Sequence, residues 1–588
     1  MSTAAAHPAV DDLRRSGVRT GDHVGLAVDD REGGAIALAY GADGDHVRLL
    51  DAPAAPAVLG DVDSVLRPRW VVWSGHSATT LASVGIRLST CWDLAAVHRL
   101  LVGGWRADAG RVWAHAHGLA LDDVPASAPP DLFSSLVGDT DLDVPVRPDG
   151  HVRPEWYGDG WQWTDGRLEQ WARLALVVAR RQHHLVESVG GPRMLSTARS
   201  ESTAELLCAE LSVDGLPMDR AAAERIIAEH VGPRPADDTD AAAQRRQRDQ
   251  RVLRLAPPGT EPDLRNPAHV KSLLRRVGIE LPDTRAWRLE SLRDVHPIVD
   301  ALLVWRKAER IATTFGYQWL DEHLGVDGRL RGEWSGSDGA AGRMTASAGL
   351  HNMPAVMRPA VAAEPGHVFV RADLGQIEPR VLAAISGDRL LAAATASDDL
   401  YAPVAAELGV DRPTAKVAVL GAMYGQTTGR GAQVLRRLES AYPVSMQYLL
   451  DADLAGQAGR ELRTYGGRLI PMWPGSGAGS GGESDREARS RAAARGRYAR
   501  NAVVQGAAAE LFKVWAVTVR ARSAALAARV VLCLHDELLV HTPIGRADEV
   551  AGLVVDCLGE AAHRWAPDRS VRFVADVAVV PRWSDAKG

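Results

Sequence analysis

Lysine is nearly absent. The 588 residues hold five lysines against 63 arginines. Arginine presents a planar fork that stays charged, whereas a lysine ammonium is a point charge whose proton can shift. The few lysine positions are therefore informative. Cysteine is scarce too. Cys91, Cys208, Cys533 and Cys557 are scattered, with neither the spacing of a zinc site nor a disulfide framework, and they suit a reducing cytoplasm. No run of about 20 apolar residues appears, so no membrane span is expected. The short, polar N-terminus lacks a secretory pattern. An excess of positive charge is missing as well. The formal net charge is −6, with 17 Lys and Arg against 25 Asp and Glu in residues 1–190, and 51 against 49 in the remainder. An acidic first third is a poor grip for phosphate, so any basic channel has to be local and built from later arginines.

The length fits roughly two to four domains, and a hydrophobic content of 46% is enough for sizeable cores. The stretch Val368–Arg380 organises the chain. Val368, Phe369 and Val370 are strand formers after the breaker Gly366, and the strand they predict ends at Asp373. Beyond Pro379 the spacing of Val381, Leu382 and Ile385 is helical, and Ser386-Gly387-Asp388 stops it. A carboxylate at a strand end just before a helix is placed to hold a metal, although the same position serves a turn or a helix cap. A second acidic site lies far along the chain. Arg529–His541 reads as two short strands around a tight turn, with His535-Asp536-Glu537 at the tip. An acidic pair between apolar strands needs a solvating partner. Mg²⁺ suits it, since it takes one or two carboxylates plus substrate phosphates. An ordinary polar turn is the alternative.

A third stretch, Asp411–Tyr424, predicts a helix with Pro413 in its first turn. Arg412, Lys416, Leu420 and Tyr424 are four apart and share a face. Two cations, an apolar residue and an aromatic can grip a triphosphate and stack on a base. A solvated amphipathic face would look similar, but a lysine at 416 in so lysine-poor a chain argues against it.

On these three stretches the chain resembles the family A DNA polymerases, the DNA polymerase I family. The first motif of that family is similar to Asp373-Leu-Gly-Gln-Ile-Glu-Pro-Arg380, the fingers-helix motif to Arg412–Gly425, and the last motif to His535-Asp536-Glu537. Order and spacing agree, and the resemblance runs from the region of Glu201 to the C-terminus. It implies a multidomain α/β and α+β chain. An RNase H-like, 3′–5′ exonuclease-type domain is expected over 1–190. A right-hand polymerase would follow, with the thumb and start of the palm over 191–330 and the palm and fingers over 331–588, fingers near 389–490. A 5′-nuclease domain, which full polymerase I proteins carry ahead of this region, is not expected within 588 residues.

The activity implied is DNA-templated addition of dNMPs to a primer 3′-OH, in replication or repair synthesis, by a cytosolic or nucleoid-associated monomer that binds primer–template DNA and dNTPs. Two Mg²⁺ ions, replaceable by Mn²⁺, would sit on Asp373, Asp536 and the Leu374 carbonyl, with Glu537 assisting. Lys416 would pair with the triphosphate and protonate the leaving pyrophosphate, and Arg412 would hold the γ-phosphate. Gln376, Tyr401, Leu420 and Tyr424 complete the nucleotide contacts. Glu378 would crowd the sugar 2′ position and exclude ribonucleotides. Arg343, Arg497, Asn501, Gln505 and His535 would face the primer–template, with Arg306 and Arg310 on a thumb helix contacting phosphates. The chain departs from the family pattern at Leu374 and Leu420, where aromatics are usual, at Tyr401, where a phosphate-binding His is usual, and at Cys533, where a polar residue is common. Each lost contact is worth on the order of 1 kcal/mol, so slow or tolerant nucleotide handling is expected. A non-catalytic DNA-binding relic and a bifunctional enzyme with an active 3′–5′ exonuclease are the alternatives.

In the first third, His23–Val28, Ala35–Tyr40 and His46–Leu50 read as a β-meander, Trp70–Trp73 as a further strand and Leu81–Leu101 as mostly helical. The order suggests an RNase H-like domain. Asp29 and Asp30 follow its first strand, but by the resemblance the family's other metal-binding aspartates fall near Ser77 and near Ala175, so the exonuclease-like domain is expected to be inactive. Residues 121–165 read as a loop or linker whose Trp156, Trp161 and Trp163 pin it in place or stack on bases. Pro474–Asp485 reads as a flexible loop without chemistry.

Overall fold

The computed structural model describes residues 8–586 apart from 32, 43, 127–141, 159–162, 426–430, 473–484 and 568–570. Trp161 and nearly all of the Pro474–Asp485 stretch lie outside the described residues. The chain forms two compact units. One comprises Met1–Asp214, Glu333–Ala346 and Gly366–Val580, and the other Gly215–Gly332, Ser347–Pro365 and Pro581–Gly588.

The first unit opens with a five-stranded sheet. Its strands are β1 (His23–Val28), β2 (Ile36–Tyr40), β3 (His46–Leu50), β4 (Arg69–Val72) and β5 (Cys91–Asp93), in the order β3-β2-β1-β4-β5. β1 to β3 are an antiparallel meander, and β4 and β5 run parallel to β1. Every residue of β2 is buried, as expected of a sheet covered on both faces. On one face lie Trp171, Ala172, Ala175 and Leu176 from the helical stretch Asp165–Asp214. Gly25 of β1 permits the close approach, because a Cβ there would collide with the Ala172 carbonyl. On the other face the helix Ala55–Leu66 packs Val58, Leu59 and Val62 against Leu26 and Trp70. The Asp165–Asp214 helix bends at Gly191, where φ is 59°, followed by Pro192.

The expectation of a mostly helical Leu81–Leu101 needs correction. β5 interrupts it, between the helices Gly75–Ser83 and Leu94–Val102. Three residues are too few to show a strand period. Parallel pairing with β4, Trp70 opposite Cys91 and Val71 opposite Trp92, makes the strand, a tertiary effect that local preference does not report.

The same unit contains a four-stranded antiparallel sheet where the resemblance leads one to expect the palm. Its strands are β6 (His367–Leu374), β7 (Arg529–Cys533), β8 (Glu537–Pro543) and β9 (Ala575–Val580), in the order β7-β8-β6-β9. β6 is central, and Phe369, Val370 and Ala372 are fully buried. The long helix Asp485–Ser523 and the helix Ala547–Trp565 pack together, Trp515 donating its indole N–H to the Val554 carbonyl at 3.0 Å. Part of the long helix is long and apolar enough to cross a membrane by composition, but 89% of that window is buried inside the fold. Lys513, on this helix, is fully buried and donates to Glu201 at 2.6 Å and to the Gly336 carbonyl at 2.9 Å, and Arg468 pairs with the same glutamate. One of the five lysines is thus structural. The helices Tyr401–Leu408, Arg412–Tyr424, Gly431–Ala441 and Pro443–Gln457 also belong to this unit.

The second unit is mainly helical. Val252, Val270, Leu274, Ile298 and Leu302 form its core, drawn from the helices Asp238–Leu253, Pro267–Arg276 and Pro297–Thr314. Arg265 ties these helices together through Asp249 at 2.8 Å and Glu309 at 2.6 Å.

Candidate active site

Strand register gathers the acidic residues. Asp373 on β6 lies opposite Glu537 on β8 and opposite Asp576 on β9, so three carboxylates form one row across three neighbouring strands. Arg371, two residues before Asp373, shares its face. Its guanidinium pairs with Asp373, with Glu537 at 2.7 Å and with Asp576 at 3.2 Å. Asp536 is exposed at the β7–β8 turn beside His535. The turn is fixed by Leu534 N–H donating to the Glu537 carbonyl at 2.8 Å, and the Leu374 N–H donates to the Asp536 carbonyl at 2.7 Å. The two motifs, more than 160 residues apart in sequence, therefore meet at the end of the palm sheet. Asp373, Glu537 and Asp576 are hard oxygen donors already collected around the Arg371 guanidinium, and such a donor set suits a hard divalent metal.

Beside this row the chain turns from β6 into the helix Ile377–Ser386 through Gln376, whose φ of 54° is left-handed. Gln376 donates to Asp399 at 2.9 Å and accepts from the Leu400 N–H at 2.7 Å. Asp399 also accepts from Arg412 Nε at 2.5 Å and from its Nη2 at 3.2 Å. The Arg412 hydrogen bond holds the Asp399 carboxyl below its usual range. The helix carrying Arg412 starts as the sequence predicts. Asp411 caps it by accepting from the Thr414 N–H at 2.8 Å, and it ends at Gly425, φ 69°. Lys416 is exposed one turn on and has no ion pair among the described residues, and Leu420 is half-buried. Tyr401 is buried, 5.8 Å from the Arg412 guanidinium.

Glu378 is held at both oxygens. Tyr424 donates its hydroxyl at 2.9 Å and Arg343 donates at 3.1 Å. Burial, then the Glu378 charge, pushes the Tyr424 phenol up to about 12, so it stays a donor. Gln505 also reaches Tyr424, and Arg497 packs against Gly425. The expected Arg497, Asn501 and Gln505 face therefore meets the Arg412–Tyr424 helix. Asn501 Oδ1 is buried without a hydrogen-bond partner among the described residues.

In the second unit Arg306 donates to the Thr284 carbonyl and, at 2.9 Å, to its hydroxyl, and Arg310 donates to the Asn352 carbonyl at 2.7 Å. Neither faces an acid in these bonds. Both line a cleft of about 820 Å³ with Arg245 and Arg248.

Sequence reasoning missed Arg371, Asp576 and the role of Asp399. The signal for Arg371 was available, since a charged residue inside Val-Phe-Val-Arg-Ala-Asp faces the same side as Asp373. Asp576 and Asp399 carry no comparable local signal, because their significance comes from register and from the fold.

The first sheet has a cleft of about 540 Å³, lined by Asp30, Ser77, Trp73, Trp156, Tyr157 and Trp171 among others. Trp73 stacks on Trp171 at 4.1 Å, and its indole N–H donates to the Trp171 carbonyl at 3.2 Å. Asp29 is taken up by Arg31, whose Nη2 lies 2.6 Å away. Ala175 is in the core. Trp156 is buried and donates to the Leu142 carbonyl at 3.0 Å, so it pins its loop.

Residues 266–585 match the model of DNA polymerase family A. The chain is 30% identical over 348 residues to DNA polymerase I of Chloroflexus aurantiacus, covering 54% of this chain and 35% of that protein. It is 28% identical over 333 residues to DNA polymerase I of Deinococcus radiodurans, covering 51% and 33%. With the thermostable DNA polymerase I of Thermus aquaticus the identity is 30% over 336 residues, covering 52% and 38%. The match thus spans about a third of these relatives' length. Among solved structures, the polymerase domain of Pol1 from M. smegmatis, in complex with DNA primer-template and dNTP, superposes with a TM-score of 0.69 at 22% identity, covering 100% of this chain and 99% of that one. That likeness shows the fold. The family model covers more than half of the chain and includes the palm strands and the Arg412–Tyr424 helix, and the chain belongs to DNA polymerase family A.

Proposed function

We propose that the chain is a DNA-templated DNA polymerase that adds dNMPs to a primer 3′-OH in replication or repair synthesis, acting as a cytosolic monomer. The observation that carries this reading is the meeting of Asp373, Asp536 and Glu537 at one end of the palm sheet, in the unit that also presents Arg412 and Lys416 on one helix face. Asp373, Asp536 and the Leu374 carbonyl would hold two Mg²⁺, or Mn²⁺ in their place. Such a metal pair supplies charge stabilisation for the attacking and leaving oxygens of an in-line phosphoryl transfer.

The chain's own residues do the rest. Arg412 leaves Asp399 and takes the γ-phosphate as a fork. Lys416 pairs with the triphosphate and gives its proton to the leaving pyrophosphate. Glu378, held by Tyr424 and Arg343, is a fixed wall beside the sugar, against which a 2′-hydroxyl clashes, so dNTPs are selected over NTPs. Arg343, Arg497, Asn501, Gln505 and His535 line the primer–template path. Arg306 and Arg310 belong to the thumb. The domain limits at 190 and 330, with the fingers near 389–490, form part of the same reading. The exonuclease-like domain is inactive, since Asp29 is bound by Arg31 and Ser77 and Ala175 offer no carboxylate.

Primer extension with Mg²⁺, dNTPs and NTPs run separately, beside Asp536→Ala, tests the proposal. Extension with dNTPs only, lost in the variant, is expected. Tight primer–template binding without extension would instead leave a non-catalytic DNA-binding protein, and digestion of single-stranded DNA would restore an active exonuclease.

A further inference from the structure

Arg371 is an unusual resident of a metal site. Its side chain is 2% exposed and lies on the central strand of the palm. Each nitrogen serves a different carboxylate: Nε donates to Glu537 at 2.7 Å, Nη1 to Asp576 at 3.2 Å and Nη2 to Asp373. The partners differ in burial. The Glu537 side chain is 5% exposed, Asp373 27% and Asp576 78%. The guanidinium is therefore rooted in the protein at Glu537 and reaches toward solvent through the other two.

This arrangement has two consequences. A buried glutamate without a partner is costly, so Arg371 fixes Glu537 and, through the shared fork, the rotamer of Asp373. It also puts a permanent positive charge, which no pH near neutrality removes, against a carboxylate that a divalent cation needs. The cluster's negative charge is one unit smaller than its acids suggest, and Asp373 would have to give up the guanidinium in order to hold a metal. A triphosphate brings further oxygens and negative charge and offsets that deficit.

We propose that Arg371 is a positioning residue that acts as the resident cation of the palm carboxylates, aligning Asp373 and Glu537 while weakening divalent-cation binding to the protein alone, so that metal loading is coupled to nucleotide arrival. Asp576 is the outer arm of the device, compensating part of the Arg371 charge. The inference rests on the polymerase reading for the identity of the metal site.

The test is Mn²⁺ binding by the full chain, followed by electron paramagnetic resonance with and without dNTP, for the wild type, Arg371→Met, Arg371→Lys and Asp576→Asn. Removing a unit charge in contact with a metal ligand is expected to tighten Mn²⁺ binding without nucleotide by at least about tenfold in Arg371→Met. The gain from dNTP should shrink in the same variant. Arg371→Lys keeps the charge and should stay near the wild type. Asp576→Asn alters a largely exposed side chain and should weaken binding by about twofold or more, because less of the Arg371 charge is compensated. A folded Arg371→Met that binds Mn²⁺ no more tightly than the wild type overturns the proposal. Where that variant does not fold, Asp576→Asn decides, and unchanged affinity there overturns it. A wild type that extends primers while these isotherms coincide defeats the inference alone. A wild type that neither extends primers nor binds Mn²⁺ with dNTP present defeats the polymerase reading, and the inference with it.

Discussion

The molecule contains two sheets with aspartates at strand ends, and they have different fates. In the palm, Asp373, Glu537 and Asp576 stand in register on three strands and share one guanidinium, with Asp536 at the adjoining turn. In the first sheet, Asp29 is bound by Arg31, Ser77 and Ala175 occupy the other expected positions, and Trp73 and Trp171 are stacked beside the cleft. A strand end supplies a place for a carboxylate, but chemistry requires several of them to converge. In the first sheet the cleft is lined by stacked tryptophans and not by converging carboxylates, a reminder that function belongs to sites and not to folds.

Exchanging the two aspartates is the most direct way to break this comparison. Asp536→Ala should lower primer extension by at least about a thousandfold, the several kcal/mol that metal-held charge stabilisation supplies. Asp29→Ala should leave extension and single-stranded DNA stability in the assay unchanged. Single-turnover rates check both. Equal effects at the two positions would remove the distinction between a working and a vestigial site.

The aromatic filling predicts a change of stability. Trp73→Ala opens the stacked pair and should destabilise the first unit by about 3–5 kcal/mol, as for other buried large-to-small changes. Denaturant unfolding measures it. Primer extension at a permissive temperature should persist, since Trp73 lies outside the palm sheet.

The parts legible in the sequence were those whose signal is local. The β1–β3 meander showed as strand-forming runs between Asp/Gly turns, and the Arg412–Tyr424 helix as a cap, a proline and a four-residue repeat. Asp373, Asp536 and Glu537 were visible because each sits in a short contiguous motif. Arg371 and Asp576 lie 205 residues apart, and only the β6–β9 register brings them together. β5 is a strand because β4 is beside it. The second unit is assembled from three separate segments, and a pattern that works within a window of a few turns does not report such threading.

Within the palm unit, Glu378 sharpens the contrast between a carboxylate proposed to hold metal and one proposed to act by its bulk. Both its oxygens are occupied by Tyr424 and Arg343, so it is rigid. Glu378→Ala should raise NTP incorporation relative to dNTP by about tenfold to a hundredfold, the range that one pocket contact gives. Parallel kcat/KM values for a dNTP and the matching NTP check it. Tyr424→Phe, which removes one of the two restraints, should give a smaller change in the same direction.

The smallest effect concerns two aspartate–arginine pairs that look alike. Asp29–Arg31 has no anionic ligand proposed for it, so its pair is expected to stay closed. Asp399–Arg412 holds the arginine proposed for the γ-phosphate, so its pair must open at each nucleotide arrival. Arg412 keeps its side chain 51% exposed, and solvent screening keeps an exposed pair of this kind weak. Asp399→Asn should therefore lower the KM for dNTP by about fivefold or less while kcat changes little, because the contact it removes exists only before the triphosphate binds. The Arg412 hydrogen bond holds the Asp399 carboxyl below its usual range, so the pair survives mild acid and opens only as the pH falls through that lowered value. The wild-type and variant KM values should accordingly keep their ratio from neutral pH down through the ordinary carboxylate range. A KM that rises in Asp399→Asn would mean that Asp399 positions Arg412 for the nucleotide instead of holding it back.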